Sequence, residues 1–128
     1  MRVFKTRFFS KFADKCRIDD VDLCEAVQRA TAGLIDADLG GGVIKQRVAR
    51  KGQGKSGGFR TIVLFRNGDR AIFVDGYAKK DLANIDDDDL RDYRKLAKVL
   101  LAYTQTELDE LVSSAKFTEV KYDEKQIS

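Results

Sequence analysis

Ten basic and two acidic residues fall between Val43 and Lys80, a strong local excess of positive charge in a chain whose formal net charge is +3. From Lys45 to Arg60 there are six cations and no acid. Charge gathered in this way is the footprint of a surface that holds a polyanion, above all a nucleic-acid backbone. The chemistry open to such a surface is limited by what the chain lacks. There is no histidine, which excludes imidazole acid–base catalysis and most transition-metal sites. Proton transfer falls to Lys, Tyr, Asp or Glu, which ordinarily titrate far from neutrality. No metal and no cofactor is expected.

Three other features could carry chemistry and are read more simply. Gly54, Lys55 and Ser56 look like the end of a phosphate-binding P-loop. However, the first glycine of G-x-x-x-x-G-K-S would fall on Ala49, and the segment runs into a strand instead of a helix. Cys16 and Cys24 are eight residues apart and have no histidine to complete a zinc site. Cys24 reads as a core residue, Cys16 as a half-buried thiol, and no disulfide is expected. Asp86 to Asp89 is a run of four acids. It reads as the N-terminus of a helix, where the macrodipole favours negative charge.

The elements that must position the cations follow from periodicity. A short strand is expected over residues 2–5 and a helix over Thr6 to Lys15, with Phe8, Phe9 and Phe12 on one side. Asp19 starts a second helix, with Leu23, Cys24, Val27, Ala30, Thr31 and Leu34 at helical spacing. Gly40, Gly41 and Gly42 end this helical half. Val43 to Ala49 reads as a strand, Arg50 to Gly58 as a flexible cationic loop, and Phe59 to Arg66 as a second strand. Asn67 and Gly68 make a hairpin turn into a third strand from Ala71 to Tyr77. Leu90, Tyr93, Ala97, Leu100 and Leu101 continue as a helix, and Thr104 caps a shorter one through Leu111. The expected fold class is α+β in one domain over 1–128. It is a small, mostly antiparallel sheet of three to four strands with N-terminal helices and a C-terminal helix packed on it. The N-terminal strand would join the meander at its edge, and the tail 116–128 is expected to fray or await a partner. No apolar run approaches the roughly 18 residues of a membrane span. The charged start is unlike a secretory signal. An intracellular, cytoplasmic location with no membrane partner is the expectation.

This arrangement brings the cations together. A hairpin about Asn67 and Gly68 sets Arg60 and Tyr77 at one end of the sheet, with the loop and Lys79 and Lys80 nearby. Lys45, Arg47 and Ala49 share a face of their strand and extend the stripe. A phosphate backbone could lie in such a groove, with Tyr77 or Phe59 stacked on an unpaired base.

The segment from Arg47 to Phe65 (RVARKGQGKSGGFRTIVLF), followed by Ile72 to Asp81 (IFVDGYAKKD), resembles the RelE superfamily of toxin–antitoxin systems. Within it the pattern is similar to the HigB-like branch: R-V-A-x-x-G-x-G-K-x-G-G-x-R, a strand, a hairpin, then Y-x-K. The resemblance covers about residues 40–103 and implies a RelE-like fold, ribosome-dependent cleavage of messenger RNA and neutralisation by a cognate antitoxin protein. It assigns Arg60 to the sheet arginine that contacts the reacting phosphate and Lys79 to the basic residue facing it. Lys51 and Lys55 match loop lysines, and Arg47 and Arg50 the preceding basic strand end. Some relatives carry a catalytic tyrosine about where Ile85 stands, so the general base stays open among Lys55, Lys79 and Asp75. Asp75 is expected instead to pair with an arginine. The expected catalytic set is Arg60, Lys79, Lys55 and Tyr77. RNA contacts would come from Arg47, Arg50, Lys51, Lys80 and Phe59. Two other functions fit the same surface: a gyrase inhibitor of the ParE kind that acts by binding, and a nucleic-acid-binding module without catalysis.

Overall fold

The computed structural model describes residues 1–50, 54–78 and 85–122. In chain order the elements are β1 (Arg2–Thr6), α1 (Arg7–Cys16), α2 (Asp20–Thr31), β2 (Ala37–Gly40), β3 (Val43–Arg50), β4 (Gly54–Arg66), β5 (Arg70–Ala78), α3 (Asp87–Leu100), α4 (Gln105–Ser113) and β6 (Phe117–Val120). The architecture is α+β: one sheet of six strands in the order β2-β3-β4-β5-β1-β6, with helices on both faces. All neighbouring pairs are antiparallel except β1 and β5.

Local chemistry starts and stops the elements where the sequence suggests. The Thr6 hydroxyl accepts from the Phe9 N–H at 3.1 Å and caps α1. Asp86 accepts from the Asp89 N–H at 2.8 Å, so the acidic run caps α3. Thr104 and Glu107 form a reciprocal capping box on α4. Residues 67–69 turn β4 into β5, with Gly68 at φ 79°.

Alternation along the strands splits the core in two. Val3, Ile44, Val48, Phe59, Val63 and Phe73 face α1 and α2. Phe4, Val43, Ile62, Leu64 and Ile72 face α3 and α4 with Ala97, Leu100 and Leu108. Two glycines permit close approaches that a side chain would block. A Cβ on Gly76 would stand 2.4 Å from the Phe12 ring, and one on Gly58 would stand 2.2 Å from the Val48 carbonyl oxygen.

Several expectations need correction. The mostly antiparallel sheet is as expected but larger, with six strands among the described residues rather than three or four. The tail contributes β6, whose Phe117 and Val120 are buried, while residues 123–128 lie outside the described residues. Phe117 pairs with Thr6 and Val120 with Val3. These two apolar residues therefore serve opposite faces, and no alternation betrays the strand. The loop expected over residues 50–58 is shorter, because β4 already begins at Gly54, paired with Arg50. Phe8 and Leu34 are exposed at 67% and 63%. On α1, Phe9 takes the inward position beside Phe73 instead. Cys24 is buried, its thiol pushed up to about 11 by burial and by the charge of Asp20, and no disulfide joins it to Cys16.

Candidate functional site

Three central strands set up the site. In their register Arg47 of β3 lies opposite Arg60 of β4, and Arg60 lies opposite Tyr77 of β5. Residues directly paired across strands share a face, so these three form one row on the α3 side. Behind them runs the row Lys45, Ile62 and Asp75.

A β-bulge in β5 creates this row. From Arg66 paired with Arg70 to Val63 paired with Phe73, the hairpin is regular. Between Val63 and Ile62 the register shifts, and Val74 is the extra residue. Without the shift, Gly76 would face Arg60, and Tyr77 and Asp75 would point toward α1. A one-residue slip moves every later side chain to the other face, and bulges often re-aim residues in this way.

Arg60 is half-buried, and its Nη1 is enclosed without a hydrogen-bond partner among the described residues. A buried donor left unbonded in this way calls for an explanation. Arg47 is held in place: its backbone N–H donates to Asp36 Oδ2 at 2.6 Å, and its guanidinium pairs with Asp36 Oδ1 at 3.3 Å. Burial pushes the Asp36 carboxyl up, but the Arg47 N–H and the charges of Arg29 and Arg47 outweigh it and hold the group below the usual carboxylate range. Arg29 also donates to the Arg47 carbonyl, so α2 supports this end of β3 from behind.

Asp75 does not pair with an arginine among the described residues. Its Oδ2 accepts from the Tyr93 hydroxyl of α3, and its Oδ1 accepts from the Gly76 N–H at 2.8 Å. Burial, this bond and the charge of Asp75 push the Tyr93 hydroxyl well above its usual range. Tyr77 is raised too, by burial first; the Arg60 charge works against the rise and the Asp75 charge with it. Tyr77 therefore keeps its proton at neutral pH and can donate a hydrogen bond. The sequence pattern places Tyr93 at a core position on its helix. The available signal was a hydroxyl-bearing ring within an otherwise aliphatic stripe.

Phe59 is corrected as a stacking platform. It lies on the opposite face from Arg60, is buried to 5% exposure, and meets the Phe12 ring edge-on at 5.7 Å. Arg50 pairs with Gly54 through the backbone, but the side chains of Arg50 and Lys55 are outside the described residues, as are Lys51, Lys79 and Lys80. Of the expected set, Arg47, Arg60 and Tyr77 are brought together.

Fold and site define a small α+β protein that carries two arginines and a tyrosine in one row on its central strands. A family model described as the RelE toxin of the RelE/RelB toxin–antitoxin system matches residues 1–120, and the chain belongs to that family. It is thus a toxin of a toxin–antitoxin system, for which the family implies a cognate antitoxin. No curated protein matches the chain. Among the described residues no helix is long and apolar enough to cross a membrane.

Proposed function

We propose that this toxin is a HigB-like, metal-independent endoribonuclease that cuts messenger RNA on the ribosome. The observation that carries the reading is the row Arg47, Arg60 and Tyr77, with an Arg60 nitrogen left without a partner among the described residues. Family membership supports it, because RelE toxins generally cleave RNA on the ribosome.

In the reaction the 2′-hydroxyl attacks the adjacent phosphorus. Its proton goes to a base, the 5′-oxygen leaves with a proton from an acid, and a 2′,3′-cyclic phosphate remains. Arg60 stabilises the phosphate as it gains charge in the transition state, because a planar guanidinium can bind two of its oxygens. Such preorganised donors are a large part of catalysis. Tyr77, held protonated beside Arg60, serves as hydrogen-bond donor or as the acid for the 5′-oxygen. The base is then a lysine, Lys55 or Lys79, both of whose side chains lie outside the described residues. Arg47, Arg50, Lys51 and Lys80 hold the flanking backbone.

The test is induced expression of wild type and Arg60→Ala in cells, with growth followed and RNA ends mapped. We expect growth arrest and new 5′-hydroxyl ends only with the wild type. Intact messages on translating ribosomes beside active growth arrest would overturn the nuclease reading. Blocked DNA supercoiling in that case would favour a ParE-like inhibitor. Steeply salt-dependent RNA binding without growth arrest would favour a plain binding module.

A further inference from the structure

Asp75 is the one acid on β4 and β5 that shares the face of Arg60. It is the diagonal neighbour of Arg60 across the strand pair, a separation that long side chains can span. An aspartate there has two ways to disable the site. It could close a bidentate pair with the guanidinium, or it could repel an incoming phosphate. No such pair forms among the described residues. Both carboxylate oxygens already accept hydrogen bonds, from Gly76 N–H and from the Tyr93 hydroxyl, and Arg60 Nη1 is left unbonded among the described residues. The two bonds come from different places. Gly76 is the next residue on the same strand, whereas Tyr93 reaches in from α3, across the layer boundary.

We infer that Tyr93 is a positioning residue of the toxin site: its hydroxyl holds the Asp75 carboxylate away from Arg60 and so keeps that arginine available for the RNA phosphate. The inference rests on the proposed role of Arg60. It also explains why a carboxylate is tolerated within a cationic row. The partner oxygen is supplied with a donor that carries no charge, so the anchor itself adds no competing anion. Phenylalanine at 93 would keep the ring in the α3 layer and remove only the donor. Oδ2 would then lack that donor, and Arg60 is its diagonal neighbour across the strand pair.

The test is a double-mutant cycle on the full-length chain, with programmed ribosomes carrying a 2′-O-methylated A-site codon for binding and an unmodified codon for single-turnover cleavage. Tyr93→Phe should weaken binding about tenfold, the scale of one lost charge-assisted hydrogen bond, with little change in melting temperature. Asp75→Asn alone should bind no less tightly than wild type. Tyr93→Phe combined with Asp75→Asn should return to within about twofold of wild type, since the competing charge is gone. A purely structural role for Tyr93 would not be rescued in this way. A double variant as weak as Tyr93→Phe, or a Tyr93→Phe protein that binds normally while Arg60→Ala does not, would overturn the inference and leave the Arg60 reading standing. Normal binding and cleavage by Arg60→Ala would overturn both.

Discussion

Arg60 and Arg70 lie on one face of the same strand pair, at opposite ends, and have opposite fates. Arg70 sits at the turn end, 4% exposed. Its Nη1 donates to the carbonyls of Leu100 and Tyr103 at 3.2 and 2.6 Å, and its Nε reaches Asp69 at 3.2 Å. It thus satisfies carbonyls at the C-terminus of α3, where a cation is favoured. Arg60 sits at the open end with a nitrogen that binds nothing among the described residues. The comparison teaches that a buried cation is structural or functional according to whether its donors are already taken. Charge density along the chain counts both arginines alike.

The largest expected effect tests the open end. Arg60→Ala should lower single-turnover cleavage by about 10²- to 10³-fold, the scale of removing one preorganised donor. Its thermal unfolding should stay close to wild type. Cleavage within a few-fold of wild type would break the comparison.

Arg70→Met should do the reverse. It leaves buried carbonyls without a donor, and we expect a loss of about 2–4 kcal/mol in urea unfolding. Cleavage per folded molecule should be unchanged. An unaltered unfolding midpoint would show that Arg70 is no more committed than Arg60.

A smaller effect concerns the support behind Arg47. Asp36→Asn should cost on the order of 1–2 kcal/mol at neutral pH, from weakened charge-assisted hydrogen bonds. The folded carboxyl lies below its unfolded range. Its contribution is therefore complete above the usual carboxylate range and is lost as pH falls through the folded value. The gap between Asp36→Asn and wild type should accordingly close in acid. A gap that persists unchanged at pH 2–3 would remove the ionic part of the explanation.

The smallest effect concerns the far face. Phe59→Leu should cost about 1 kcal/mol of stability through poorer packing on Phe12. RNA cleavage should stay within twofold. A tenfold fall in RNA affinity would restore Phe59 as a base-stacking residue.

Much of this protein could be read from local pattern. Caps at Thr6, Asp86 and Thr104, the turn at Asn67 and Gly68, and the alternation through Ile62, Val63 and Leu64 are each decided within a few residues. The hairpin also set Arg60 and Tyr77 at one end of the sheet, but their direct pairing depends on the bulge at Val74. The motif around Arg47 to Gly58 pointed to the family that residues 1–120 match. Less legible were β6, with its apolar residues on opposite faces, and Phe59, which sits one residue from Arg60 yet in the other core. The Tyr93 bond to Asp75 joins residues 18 apart that no periodicity links.

The amino-acid order by itself determined where helices begin, where the hairpin turns and how many cations crowd one segment, because those outcomes rest on contacts between near neighbours. The tertiary structure alone decided which cations remain available. The bulge at Val74 turned Asp75 and Tyr77 toward Arg60, α3 brought a hydroxyl to Asp75, and its last carbonyls engaged Arg70. A strand's faces depend on register with its partner, and a hydrogen bond between distant residues exists only once the layers have packed.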